Sequence, residues 1–405
     1  MQYDFETIID RRSTGSSKWD QMIRCNPDVS RGVVPFSVAD MELKNPPEIT
    51  EGLKKYIDST ILGYTQPTDS YLNAVCDWMK RRHGWAVKRD WIIGSPGVVN
   101  ALFMAVKAFT NHGDGIIIQT PVYYPFYAAI ERNQRALVKN PLIYTGSNYF
   151  IDYDDLERKA HDPKNKVLMF CSPHNPVGRV WTPEELTRVG EICLRNNVLI
   201  ISDEIHFDLI MPGHKHTVFA NVSEDLANNM IVCTSPSKTF NLAGMQTSNI
   251  IIPNEKIRNA YLREMASNGS FSLNILGYKA CEIAYTECEE WLDQLLELIY
   301  HNHLELKQFI KQNMPAIKVI ELEGTYLQWM DFRALGLNQQ ELENLMQFKA
   351  ELFFDEGYIF GEEGAGFERM NLACPMGIMM DGLKRLAATI NCPTDADLLC
   401  ENSKI

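Results

Sequence analysis

Lys166-Val167-Leu168-Met169-Phe170-Cys171, a helical stretch over 183–196 headed by Thr182-Pro183-Glu184-Glu185, and Val198-Leu199-Ile200-Ile201-Ser202 form the unit whose reading decides the fold. The two apolar runs are short and nearly continuous, which is the pattern of strands buried on both faces. Between them, Thr182 with Glu185 makes a capping box and Pro183 suits the first helical position. Strand, helix and strand in that order give a right-handed crossover between parallel strands.

The same alternation extends outward. Strand-like runs at 91–93, 115–119, 230–234 and 248–252 are separated by helical stretches that include 98–110 and 124–133. A largely parallel, doubly wound sheet follows. Upstream, residues 1 to about 45 read as irregular. Asn45, Pro46, Pro47 and Glu48 then give a helix start, with Asn45 as cap and Ile49, Leu53 and Ile57 at helical spacing. Gly63-Tyr64-Thr65-Gln66-Pro67 breaks that helix, and a second amphipathic one over 69–83 ends near Gly84. Beyond 285, helical stretches at 288–313, 338–356 and 378–390 flank strand-like pieces at 317–322 and 326–331. The expected organisation is a large α/β domain over 46–285 and a smaller α+β domain built from 1–45 and 286–405.

The 405 residues are 45% hydrophobic and 22% charged, the composition of an ordinary globular protein. A net charge of −13, with no basic run longer than Lys80-Arg81-Arg82, argues against a nucleic-acid partner. The start, Met1-Gln2-Tyr3-Asp4-Phe5-Glu6, has no export signal, and no apolar run reaches membrane-spanning length. The 10 cysteines include no CxxC pair, so reduced thiols in a cytoplasmic protein are expected rather than disulfides or a zinc site.

Ligands of open α/β sheets bind at the carboxyl ends of the strands. Five motifs fall there. Ser95-Pro96-Gly97-Val98-Val99 opens a helix whose first amides can cradle a phosphate, and Tyr123, between Pro121 and Pro125, can lay its ring on a flat ligand. Asn175, between Pro173 and Pro176, is held rigidly enough to donate, and Asp203 ends a buried strand where a carboxylate calls for a cation. Lys238, in Cys233-Thr234-Ser235-Pro236-Ser237-Lys238, follows another buried strand, where desolvation lowers an amine's pKa and makes it nucleophilic. Singly, each has a structural reading: a turn, packing, a self-bonded asparagine, a cap or salt bridge, a solvated lysine. Together they match what pyridoxal phosphate needs: a phosphate cradle, a stacking ring, a donor to the phenolate oxygen, a carboxylate for the pyridine nitrogen and a lysine for a Schiff base.

The set resembles the fold-type I pyridoxal-phosphate enzymes, the aspartate aminotransferase superfamily. Val38-Ala39-Asp40-Met41, Gly63-Tyr64, Pro173-His174-Asn175-Pro176-Val177-Gly178, Ser202-Asp203-Glu204-Ile205-His206, Ser235-Pro236-Ser237-Lys238-Thr239-Phe240-Asn241 and Asn371-Leu372-Ala373-Cys374-Pro375 are similar to its MalY/PatB branch, the bacterial cysteine–sulfur β-lyases. The resemblance implies an aspartate aminotransferase-like fold, with Lys238 carrying the cofactor and moving the Cα proton. It gives Asp203 to the pyridine nitrogen, Asn175 to the phenolate oxygen and Tyr123 to the ring face. Val98, Val99, Ser235 and Ser237 go to the phosphate. Tyr64 would reach the phosphate of a second subunit, making a homodimer. Arg369 would clamp the substrate α-carboxylate, a task suited to a guanidinium fork; its structural alternative is a surface salt bridge with Glu362, Glu363 or Glu368.

Three positions depart from that pattern. His206 stands near the phenolate oxygen where typical aminotransferases have tyrosine, Gln246 where many relatives have a phosphate-binding arginine, and Ser37 where the lyases often carry tryptophan. The implied activity is α,β-elimination of L-cystathionine, L-cystine or another cysteine S-conjugate. Transamination of a neutral or aromatic amino acid and a regulatory role are the alternatives.

Overall fold

Seven strands form the main sheet of the computed structural model, which describes residues 2–270 and 272–391. The chain makes β1 (Ile92–Ser95), β2 (Gly115–Ile118), β3 (Ala136–Lys139), a hairpin of β4 (Ile143–Tyr144) and β5 (Tyr149–Phe150), then β6 (Asn165–Cys171), β7 (Leu199–Asp203), β8 (Met230–Thr234) and β9 (Ser248–Ile251). The sheet order is β1-β9-β8-β7-β6-β2-β3. β3, β2, β6, β7 and β8 run parallel, and β9 is antiparallel to both of its neighbours. All six strands expected in this part are present, and the crossover helix Pro183–Arg195 carries the capping box read from Thr182 and Glu185. β3 was not expected: it is a partly exposed edge strand whose apolar run, Ala136-Leu137-Val138, is short and closed by Lys139.

Successive strand residues point to opposite faces, so each strand feeds two cores. Ile117, Leu168, Phe170, Ile200 and Val232 belong to one core. Ile116, Ile118, Met169, Ile201 and Ile231 belong to the other. Burying each such side chain stabilises the fold by about 1.5–3 kcal/mol. That two-sided anchorage fixes the strand ends from which the site is built.

A second sheet has the order β10-β11-β13-β12 and is antiparallel throughout, with β10 (Lys318–Val319), β11 (Leu327–Asp331), β12 (Asp355–Glu356) and β13 (Phe367–Asn371). The amino-terminal segment is tied to it: the Phe36 amide donates to the Phe353 carbonyl at 2.9 Å, and the Asn371 amide donates to the Phe36 carbonyl at 2.9 Å. Helices Glu289–Asn313 and Met376–Ile390 pack on each other beside this sheet.

Four expectations need correction. The stretch 338–356 is not one helix: an α-helix over Gln339–Asn344 passes into a π-turn over Leu345–Lys349, and Glu351, at φ 48°, ends helical geometry before β12. The start of the helix Pro47–Ser59 has Pro46 at its cap position, while the Asn45 side-chain Nδ2 donates to the Phe240 and Asn241 carbonyls at 2.8 and 3.0 Å. Residues 1–45 are not wholly irregular, because Ser17–Cys25 is a helix that buries Trp19 and Met22 against Val33, Val34 and Phe353. The 317–322 piece pairs only over Lys318–Val319. Residues 392–405, the end of the unit expected over 286–405, lie outside the described residues.

Among the described residues no helix is long and apolar enough to cross a membrane. None of the described cysteines is paired, and no group of described His, Cys, Asp or Glu residues could hold a metal ion.

Candidate active site

The carboxyl ends of β6, β7 and β8 lie side by side, with Cys171 in register with Asp203 and Asp203 with Cys233. Each strand therefore delivers its following loop to one place. The loop after β8 turns at once into the short helix Pro236–Thr239, capped by the Ser235 side chain, and this raises Lys238 over the sheet edge. The Lys238 amine donates to the Ala39 carbonyl at 2.7 Å. Burial lowers its pKa to about 8; Arg369 pushes the same way, while Asp40, Asp203 and Asp355 oppose.

Asp203 is 2% exposed, and among the described residues its carboxylate accepts only the Ile205 amide, at 3.2 Å. Burial raises its pKa to about 7, against the pull of that amide and of Lys238. A carboxylate so placed is costly until a cation meets it. His206 lies beside it, with its ring edge-on to Tyr326 at 5.9 Å. Its Nδ1 is buried with no partner among the described residues, and burial, then Lys238 and Arg369, hold the imidazole neutral.

Asn175 and Arg369 meet directly: Arg369 Nη1 donates to Asn175 Oδ1 at 2.6 Å. Tyr123 is joined to the same loop, its amide donating to the Asn175 carbonyl at 3.1 Å. Burial first, then Tyr124 and Asp203, keep its phenol protonated. Arg369 is not on the surface and pairs with none of Glu362, Glu363 or Glu368. It is 2% exposed in β13, bound to Asp355 of β12 through Nε at 3.2 Å and through Nη2, with Phe360 4.6 Å beneath its guanidinium.

The first-turn amides of Val98 and Val99 have no intrahelical acceptor. Gly97 before them has φ 92°, and a side chain there would project into open space, so the backbone can be approached closely. The Ser235 hydroxyl bonds the Ser237 hydroxyl at 2.8 Å and the Thr247 carbonyl at 2.7 Å. Ser37 is buried and Gln246 is exposed. Tyr64 is not brought to this cluster; it stands fully exposed, with Ile61 and Leu62, between two helices.

Sequence reasoning missed Asp355 and the Ala39 carbonyl. The latter has no sequence signal, since any residue supplies a carbonyl. Asp355 did have one: it ends the apolar run Leu352-Phe353-Phe354, as Asp203 ends β7.

The residues present fit pyridoxal phosphate. Among the described residues Asp203 has no hydrogen-bonded cation and His206 Nδ1 has no partner, and Gly97 opens a helix start to an anion.

Comparison with known proteins agrees. Residues 31–385 match the model of the aminotransferase class I and II family. The chain is 42% identical to the cystathionine β-lyase PatB of Bacillus subtilis, over 96% of this chain and 100% of the relative. It is 30% identical to protein MalY of Escherichia coli, over 96% and 99%. The crystal structure of cystalysin from Treponema denticola, which contains a pyridoxal 5′-phosphate cofactor, superposes with a TM-score of 0.95 at 52% identity, covering 96% of this chain and 99% of that one. With its lysine, aspartate and arginine set on the ends and inner strands of such a fold, the chain belongs to the class I and II aminotransferase family, in the fold-type I branch of PatB and MalY.

Proposed function

We propose that this protein is a pyridoxal-phosphate-dependent carbon–sulfur β-lyase. It eliminates the sulfur substituent of L-cystathionine, L-cystine or another cysteine S-conjugate to give pyruvate, ammonia and a thiol. Full-length kinship to a cystathionine β-lyase carries the choice of elimination over transamination.

When bound, the cofactor supplies an electron sink for the charge left as the substrate Cα loses its proton. The chain supplies the rest. The Lys238 amine, with its pKa lowered to about 8, takes that proton as general base close to neutral pH. Arg369 receives the substrate carboxylate, already oriented by Asp355 and Asn175. Because Asn175 Oδ1 is committed to Arg369, its Nδ2 hydrogens face outward as donors for the phenolate oxygen. Asp203 holds negative charge for the protonated ring nitrogen, and Tyr123 offers its ring as a stacking face. The amides of Val98 and Val99 and the hydroxyls of Ser235 and Ser237 hold the phosphate, and neutral His206 approaches the phenolate side.

A homodimer completes this reading, with Tyr64 reaching a second subunit's phosphate; the exposed Ile61, Leu62 and Tyr64 are the supporting surface. The working division is a large domain over 46–285 and a small one from 1–45 and 286–405, supported by the Phe36 bonds to Phe353 and Asn371. A cytoplasmic location goes with the unpaired, mostly buried cysteines.

The test is to incubate purified, cofactor-loaded protein with L-cystathionine and measure thiol and pyruvate together. Equal release of both is expected. A loaded protein that yields neither from any of the three substrate types, or that turns over faster with an added 2-oxo acid, overturns the reading.

A further inference from the structure

The strand pair that carries Arg369 has a second face. Register places Asp355 opposite Arg369 and Glu356 opposite Glu368. Alternation along the strands sends the first pair toward the candidate site and the second away from it. Directly opposed like charges weaken a strand pair, and here both are largely sheltered from water.

Glu368 is 3% exposed. Its carboxylate has no hydrogen-bond partner among the described residues, whereas Glu356 accepts from Gln347 at 2.7 Å and Glu343 from Gln339 at 3.3 Å. All three carboxylates line one cavity of about 260 Å³, whose apolar walls include Leu337, Leu342 and Phe367. Arg333, the single cation among the described lining residues, is committed to Asp331 at 2.8–2.9 Å. Burial, followed by Glu356, Asp355 and Glu343, raises the Glu368 pKa well above its ordinary value, which is the mark of an acid with no counter-charge.

We propose that this cavity is a binding site for a small organic cation, an ammonium on a short alkyl stem, held by Glu368 and Glu356 on the reverse face of the Asp355–Arg369 strand pair. The ammonium supplies the charge that the opposed glutamates lack, and the stem covers the apolar walls. The volume suits such a molecule rather than a bare ion, and the described residues offer no metal-holding group.

The site is tested by calorimetric titration of the holoenzyme with n-butylammonium chloride, against sodium chloride at equal ionic strength. We expect saturable binding, one per chain, with no matching sodium signal. Because the acids release a proton as the cation enters, the heat should depend on the buffer's ionisation enthalpy. Glu368→Gln and Glu356→Gln should each weaken binding by at least about tenfold, ~1.4 kcal/mol. Either variant alone carries the test if the other fails to fold. No saturable binding, an equal sodium response, or binding unchanged in these variants overturns the proposal. The readout is binding, so failure of the lyase reading leaves it standing.

Discussion

Asp203 and Asp355 are buried carboxylates serving one site from two regions with opposite electrostatics. At the end of β7, Asp203 meets one backbone amide and, among the described residues, no cation within hydrogen-bond reach. In β12, Asp355 accepts from two nitrogens of Arg369 and from the Val38 amide. The chain neutralises the second charge itself and leaves the first to be neutralised by something it does not encode. On the proposed reading the main-sheet ends await a cofactor, whereas the small-sheet pair comes ready-made and needs only the substrate carboxylate.

The largest effect that would sharpen this contrast belongs to the main-sheet side. Lys238→Ala should lower pyruvate release by roughly 10²–10⁴-fold or more, because the proposed general base is lost. Its far-UV circular dichroism should stay unchanged. A residual rate within tenfold of the parent would show that another group moves the proton.

Arg369→Ala comes next and acts in two ways. It removes the proposed substrate clamp, so KM for L-cystathionine should rise steeply, and it leaves Asp355 buried without its partner. Breaking a buried pair on one side costs about 3–5 kcal/mol, which urea unfolding would detect. Arg369→Lys keeps the charge but not the fork, and should recover stability better than KM. If both variants keep the parental KM, the small-sheet pair is structural only.

Asp355→Asn has a smaller expected effect. Asparagine can still accept from Nε of Arg369 but loses the charge-assisted bond, so the guanidinium should be held less firmly. A rise in KM of about tenfold, ~1.4 kcal/mol, with kcat nearly kept, is the expected split. A fall in kcat at constant KM would instead place Asp355 in the chemistry.

The same contrast explains what could be read in advance. The Leu199–Asp203 run was legible because turn-forming and capped segments bound it, so its last acid had to lie at a strand end. Leu352-Phe353-Phe354-Asp355 carries the same signal, an apolar run closed by an acid, but the helical pattern before it masked the change at Glu351. β13 was harder still. Phe367-Glu368-Arg369-Met370-Asn371 is buried throughout although three of its residues are polar or charged, because it is an inner strand held between β12 and the sequence-distant β11. Long-range pairing of that kind leaves no local periodicity. Arg369 was found through family resemblance, and its burial and counter-ion came only from the structure.

The smallest effect separates the two carboxylates by pH. In the cofactor-free chain Asp203 titrates near 7, above its ordinary 3.8, so between those values the folded state holds a proton that the unfolded state has lost. Stability from this group therefore falls as pH rises through that window, and the full cost is present above about 7. Asparagine cannot ionise and escapes that cost. Cofactor-free Asp203→Asn should match the parent near pH 4 and be the more stable protein at pH 8. Loading the cofactor should reverse the order at pH 8, because a ring cation turns the buried charge from a penalty into half of an ion pair. Thermal melts of both proteins, loaded and unloaded at the two pH values, measure this. If Asp203→Asn destabilises both forms equally, Asp203 acts as a structural cap for the Ile205 turn, and the two regions do not differ in the way their hydrogen bonds suggest.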